Sequence, residues 1–275
     1  MKYNFTINEI SRSYATDFIQ SLHYSKIMPK LTKHFLGCYL KNELVGVLTL
    51  GWGTQPKATI AKLFDGLDTK DYYEIGKMCM KEEMPRNSES QMISAVVKWM
   101  KENTPEKQFL YTWADGIMGK PGYVYQAANF LYGGFIWTQI YISDKGEKIH
   151  PRSARKLCDE NVIFKLKIEP DFFEGKKGKK VYWLTQDFLD HKGMSKIHGK
   201  QFRYILPLNK KARKLLKKSN VEWNLNYPKE SDLVWKKSTS EGKKQLSGMP
   251  YIDSNMTEFN SNNVNAHIGT LEAFL

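Results

Sequence analysis

The chain has 275 residues, 41% of them hydrophobic and 13% aromatic, with a formal net charge of +13. That length and content suit one ordinary globular domain with an appendage, and they exclude a disordered or low-complexity chain. No run approaches the ~20 apolar residues of a membrane-spanning helix, the first residues lack an apolar leader core, and Cys38, Cys79 and Cys158 are too few and scattered for a disulfide framework.

In chain order, residues 2–8 predict a short strand and residues 9–22 a helix, with Ile10, Tyr14, Phe18 and Leu22 at helical spacing. A loop over residues 24–33 leads into a hairpin, 35–40 and 44–51, about the turn Lys41-Asn42-Glu43. Residues 52–57 predict a loop and residues 72–80 a further strand. Ser88 and Gln91 stand at capping-box spacing. They open a helix that runs to about residue 102, with Ile93, Val96, Val97 and Met100 inward. Residues 109–114 are β-formers in an apolar run. Asp115-Gly116 and the cluster Gly119-Lys120-Pro121-Gly122 break the chain after them. A helix over 123–132, stopped by Gly133-Gly134, and a strand over 135–143 follow. An acid at the C-terminal end of a central strand, before a helix, is where α/β proteins build sites; Asp115 is the candidate.

Beyond residue 143 the chain turns basic. Residues 144–218 hold 21 Lys and Arg against 9 Asp and Glu, nearly the whole excess, interleaved with Tyr182, Trp183, Phe202 and Tyr204. That clustering points to a polyanionic partner, nucleic acid before others. Strands are expected at 162–168, 181–185 and 201–207, with a loop at 175–180 and a basic helix at 209–218. From residue 236 the polar composition predicts a flexible tail, with residues 268–275 apolar enough to dock. The expected organisation is a core over 1–143, a basic, β-rich extension packed on it over 144–228, and a polar, partly flexible tail over 229–275.

Several blocks together resemble the phage Mom family, DNA adenine modification proteins of acyltransferase (GNAT)-like fold. They are Leu22-His-Tyr-Ser-Lys26, Glu74-Ile-Gly-Lys77, Asn87-Ser-Glu-Ser90, Trp113-Ala-Asp115 with Gly119, Gly122, Tyr125 and Asn129-Phe130, and Arg203-Tyr204 with Asn226-Tyr-Pro-Lys229. The resemblance covers roughly residues 20–228. It implies an α/β (α+β) fold, with a central mixed, mostly antiparallel sheet flanked by helices and a basic C-terminal extension. It also implies a transferase that places an acyl or glycyl-type group on the N6 amine of adenine in DNA. The product would be a carbamoylmethyladenine-type base that shields phage DNA from restriction in the cytoplasm of the infected bacterial host. The alternatives are an acetyl-CoA-dependent N-acetyltransferase acting on a small molecule or protein, and a non-catalytic nucleic-acid-binding protein in a GNAT shell.

The residues then take expected roles. His23, Tyr24, Asp115 and Tyr125 are the catalytic candidates: a histidine titrating near neutrality could accept the adenine proton, Asp115 could bind the donor amine or the adenine edge, and Tyr125 could protonate a leaving group. Lys77, Asn87, Ser88, Tyr123, Asn129 and Trp52 are expected around the substrate, with Trp52, Tyr24 and Tyr123 as stacking surfaces for a base taken out of the duplex. Lys77 stands where the family suggests arginine, and Lys120-Pro121 where it suggests a histidine. Lys176, Lys177, Lys179, Lys180, Lys210, Lys211, Arg213 and Lys214 would hold phosphates without reading sequence. Acyl-CoA acyltransferases cradle the pyrophosphate on a glycine-rich loop at a helix N-terminus. The equivalent segment here, residues 82–88, has no glycine and includes Pro85, which lacks a donor. A polymeric donor such as charged glycyl-tRNA therefore ranks above acetyl-CoA. Whether a metal is bound is left open; an iron could take His23, Asp115 and a tyrosine. Oligomeric state is not readable.

Overall fold

Residues 32–51 alternate and turn as a hairpin should. Thr32–Leu40 (β2) and Glu43–Gly51 (β3) pair antiparallel, and Lys41 and Asn42 between them both take positive φ, 49° and 67°, as a tight hairpin demands. The structure, a computed structural model, describes residues 2–174 and 183–250. Its contacts divide it into two units: residues 1–136 with 201–233, and 137–200 with the chain from 234.

In the first unit the sheet order is β1 (Thr6–Glu9), β2, β3, β4 (Tyr72–Met80), β5 (Phe109–Ala114), then β8 (Ser195–Pro207) and β6 (Leu131–Ile142). The last two strands enter the second unit at residues 200 and 137. β1–β2, β2–β3, β3–β4 and β5–β8 pair antiparallel, and β4–β5 pairs parallel. Helices cover both faces. On one, α1 (Arg12–Leu22) buries Ala15 and Ile19 against Leu44 and Val47. Beside it α2 (Pro56–Leu63) and α8 (Lys210–Leu216) bring Ile60, Leu63 and Ala212 onto Tyr72, Phe109 and Tyr111. On the other, α3 (Ser88–Asn103) packs Met92, Ile93, Val96 and Met100 on Leu48, Tyr73, Ile75 and Leu110. Tyr72 and Tyr73 join opposite layers because successive strand side chains point to opposite faces.

Two irregularities in β4 matter most. It pairs with β5 only through Tyr72, Tyr73 and Glu74, opposite Phe109, Leu110 and Tyr111. Both strands continue beyond those pairs, β4 against β3 and β5 against β8, so they part and leave a wedge after Glu74. Between Ile75 and Lys77 the register with β3 then skips Gly76. A bulge of one residue turns every later side chain to the other face. Tyr73 and Ile75 face α3, but beyond the bulge Met78 and Met80 do so, which leaves Lys77 beside Thr49 on the α1 side. Glycine is required at the bulge: a Cβ at Gly76 would stand 2.9 Å from Pro29 Cγ and 3.1 Å from Thr49 Oγ1.

The second unit holds the far half of β6, β7 (Lys148–Ile149), α5 (Pro151–Ala154), α6 (Cys158–Ile168), α7 (Gln186–His191), the start of β8, and a hairpin of β9 (Trp235–Thr239) and β10 (Gly242–Gln245). Tyr141, Cys158, Leu184, Phe188, Leu189 and Met194 make its core. Buried Asn161 knots it together: its Oδ1 accepts from Thr185 N at 3.1 Å and Thr185 Oγ1 at 2.7 Å.

The mixed, mostly antiparallel sheet flanked by helices is the expected fold class. Several local expectations are corrected. Residues 162–168 lie in α6, not in a strand, and helices dominate 151–191 where a β-rich stretch was expected. The helix opened by Tyr123 (α4) ends at Ala127; Asn129, at φ 60°, turns the chain, and Gly133-Gly134 lie inside β6. The capping box at α3 does not form: Asn87 is the N-cap, with no side-chain bond. Residues 56–63 are helical, and residues 235–245 are a hairpin rather than the start of a flexible tail. The expected loop at 175–180 and the docking end at 268–275 fall outside the described residues.

Candidate active site

The wedge between β4 and β5 is where the expected site residues meet. α1 ends at His23, and the segment after it lies tight on the sheet: Trp52 N donates to Leu31 O at 3.2 Å, and a Cβ at Gly51 would sit 2.0 Å from that oxygen. This lays Tyr24 against the end of β5. The Tyr24 hydroxyl donates to Asp115 Oδ2 at 2.5 Å, and Gln201 Nε2, from β8, donates to Asp115 Oδ1 at 2.9 Å. Asp115 precedes a short 3-10 turn, Gly116–Met118, without capping it through its side chain. Its carboxylate is held by two side chains from distant elements, while its carbonyl anchors the turn by accepting from Met118 N and Lys120 N.

The loop after Asp115 is itself pinned. Tyr204 donates to Pro121 O at 2.5 Å. Gly122, at φ 98°, leaves a Cβ only 2.7 Å from the Tyr204 ring and 2.8 Å from Ala114 Cβ, so only glycine fits. This directs Lys120 onto Tyr24, its Nζ 4.1 Å from the ring centroid, while Lys77 Nζ lies 5.8 Å from the same centroid. His23 stacks on Tyr24 at 4.3 Å.

Electrostatics reassign the histidine. Burial first, then Lys77 and Lys120, pushes the His23 pKa down to about 3, so the ring is neutral near pH 7 and does not titrate there as expected. Its Nδ1 lies 2.9 Å from Ser25 N and 3.1 Å from Ser25 O, so the backbone of Ser25 holds the ring. Lys77 is drawn down to about 8, burial outweighing the opposing pull of Asp115. Glu74 lies at the apex of the wedge, its oxygens closing on Gly53, where an added Cβ would come within 2.5 Å; burial pushes its carboxyl up to about 7. Tyr125 sits behind, packed on Phe130 and Tyr204, with its phenol raised to about 12 mainly by burial. It stays protonated at neutral pH and can donate.

The structure thus assembles His23, Tyr24, Lys77 and Asp115. Lys120, Gln201 and Glu74 were not among the expected site residues. Glu74 was in view as part of a family block, whereas Gln201 carries no local signal. Other expected residues have different surroundings. Ser88 is fully buried, its N–H and hydroxyl both donating to Pro85 O, and Asn87 takes a left-handed turn at φ 69°. Trp52 donates to Thr69 O at 2.8 Å and packs on Tyr73. Tyr123 is half exposed, beside Glu230, and Asn129 lines a surface hollow with Ile93, Val97 and Arg213. Lys210, Lys211, Arg213 and Lys214 stand exposed on α8, and Lys176, Lys177, Lys179 and Lys180 lie outside the described residues. Among the described residues no group of three or more His, Cys, Asp or Glu side chains could hold a metal ion. The iron site on His23 and Asp115 therefore has no support. No described helix is long and apolar enough to cross a membrane.

A model of the Mom protein family matches residues 4–229. The methylcarbamoylase mom of Escherichia phage Mu is 31% identical over 211 residues, covering 76% of this chain and 78% of that protein. Among solved structures, a Bacillus subtilis acetyltransferase in complex with CoA is 15% identical, over 76% of this chain and 100% of that one, at a TM-score of 0.36. A GNAT family acetyltransferase from Elizabethkingia anophelis with acetyl-CoA bound is 13% identical, over 75% and 99%, at a TM-score of 0.33.

Proposed function

The chain belongs to the Mom protein family, and from that premise we propose that it is a transferase acting on the exocyclic N6 amine of adenine in DNA. The observation that carries the reading is the Asp115 carboxylate, held between Tyr24 and Gln201 beside two lysines. Adenine N6 is a weak nucleophile. It needs its proton taken as the new bond forms, and a carbonyl made electrophilic. Asp115 has lone pairs left to accept the N6 hydrogen. Lys77 and Lys120 would supply positive charge to a tetrahedral oxyanion. His23 adds a neutral imidazole stacked on Tyr24. The lysines, standing where arginine and histidine were expected, act as point charges rather than forks.

The group transferred is the second part of the proposal. The phage Mu relative is named a methylcarbamoylase, and we adopt a methylcarbamoyl group in place of the carbamoylmethyl group first expected. The two are isomers, and a glycyl group is a third isomer with the same atoms. Transfer of a methylcarbamoyl group makes a urea at N6; N6 attacks the carbonyl carbon, the bond to the leaving group breaks, and that group departs with its electron pair. The donor would be a carrier held by the protein's basic surfaces. The α3 turn favours this over a CoA-type pyrophosphate, since the amide and hydroxyl of Ser88 are both directed inward. The setting is the cytoplasm of an infected host, where phage DNA meets restriction enzymes.

The test is to co-express the chain with a plasmid, digest the DNA to nucleosides and weigh them with fragmentation. A modified deoxyadenosine is expected, absent with Asp115→Asn; unmodified DNA from cells holding folded protein would overturn the proposal. Fragmentation settles the isomer: a methylcarbamoyl group leaves as methyl isocyanate and returns adenine, whereas a carbamoylmethyl group loses ammonia.

A further inference from the structure

The second unit carries a charged surface that the site does not use. In its small sheet β9 pairs antiparallel with the start of β8, and β10 with β9. His198 lies opposite Lys236, and Ser238 opposite Lys243. Paired residues share a face and alternate residues return to it, so Lys196, His198, Lys200, Lys236, Ser238, Lys243 and Gln245 stand together. None of these seven is acidic. Like charges set across neighbouring strands are destabilising by themselves; the directly opposed lysines of the hairpin, Lys237 and Lys244, lie on the other face. Lys243, Lys196 and Lys236 converge on His198 and, after burial, draw its pKa down to about 4. Lys196 is lowered by burial and by Lys243. Beside them the half-exposed Trp137 carries Lys236 Nζ 4.7 Å from its ring centroid. The opposite face is packed where Ile197 and Trp235 are buried, whereas Lys237 and Lys244 stand exposed on that side.

We infer that this face is a docking surface for the phosphate backbone of duplex DNA, supplied by a hairpin that follows the end of the family match at residue 229. Lysines on a rigid strand pair, all of one sign, present point charges to phosphates without reading bases. The repulsion between Lys196 and Lys243 is relieved when a phosphate lies between them. The inference rests on DNA being the substrate.

The experiment measures binding of the full chain to a non-specific duplex by fluorescence anisotropy across a salt series. The variants are Lys196→Gln/Lys236→Gln/Lys243→Gln and, as a control from the same hairpin, Lys237→Gln/Lys244→Gln. Each phosphate contact contributes about 0.9 to the slope of log affinity against log salt. The triple variant should therefore flatten the slope by about 2 to 3 and weaken binding more than tenfold at low salt, with its melting temperature kept. The control should change the slope by less than about 1. An unchanged slope in the triple variant, or an equal change in the control, would overturn the inference. Its failure is distinct from that of the proposed function: modified adenine with an unchanged slope removes only the hairpin, whereas unmodified adenine with the flattened slope removes only the chemistry.

Discussion

Tyr24→Phe is the sharpest probe of the site, because it deletes one oxygen and keeps the ring. The stack on His23 and the Lys120 contact at 4.1 Å survive, while the 2.5 Å bond to Asp115 does not. A hydrogen bond to a charged group contributes about 1.5–3 kcal/mol. If that energy orients the carboxylate during proton transfer, its loss converts at about 1.4 kcal/mol per decade to a slowing of roughly 10- to 150-fold. Stability should change far less. Asp115 is only partly buried and can recover a water, so the melting temperature should fall by a few degrees at most, at about 2–4 °C per kcal/mol for a chain of this size. The assay pairs initial rates of adenine modification with thermal melting. Tyr24→Ala, which also removes the ring, should be slower still. A Phe variant at the native rate would show that the hydroxyl does not position Asp115. A rate loss matched by collapse of the melting temperature would reduce the bond to a structural one.

Other predictions follow from charge and space. With Lys77 drawn down to about 8 and needed as a cation, the modification rate should fall as pH rises through about 8, and Lys77→Arg should abolish that limb; a flat profile in the native protein would remove Lys77 from the mechanism. His23 and Glu74 affect stability in opposite directions. His23, at about 3 in the folded state against 6.5, makes the folded protein lose stability as pH falls below 6.5, since the unfolded chain binds the proton first. Glu74, at about 7 against 4.5, makes it lose stability as pH rises from 4.5 to 7, since the unfolded chain releases its proton first. Glu74→Gln should therefore raise the melting temperature at pH 8 relative to the native chain more than at pH 4; an equal effect at both would contradict the assignment. Gly53 and Gly66 both have positive φ, 67° and 80°, but only at Gly53 does an added Cβ meet anything, the Glu74 carboxylate at 2.5 Å. Gly53→Ala should cost at least about 1 kcal/mol more than Gly66→Ala, measured by denaturant unfolding; equal costs would place Glu74 elsewhere. Asn161→Ala, which strips two bonds from Thr185, should cost about 2–3 kcal/mol in the same experiment.

β2, β3, β4 and α3 were legible in the chain because each is nine or more residues long and rich in apolar positions. Residues 162–168 misled for the converse reason. Val-Ile-Phe-Lys-Leu-Lys-Ile reads equally as a strand or a buried helix, and packing around Cys158 and Phe188 chose the helix. The β9–β10 hairpin was hidden by its lysines: polar composition predicts a loose tail, and only pairing with β8 gives those residues a sheet to join. At the site, the break after the 109–114 strand singled out Asp115, and the family resemblance added His23, Tyr24 and Lys77. What brings them together is tertiary. The parting of β4 from β5 opens the space, one bulged glycine turns Lys77 to the right face, and Gln201 arrives on a strand far along the chain. The protonation states were decided there too. A histidine's ordinary pKa is a property of its side chain in water, whereas burial beside two ammonium groups is a property of the fold, and it keeps His23 neutral where the sequence alone suggested a group titrating near neutrality.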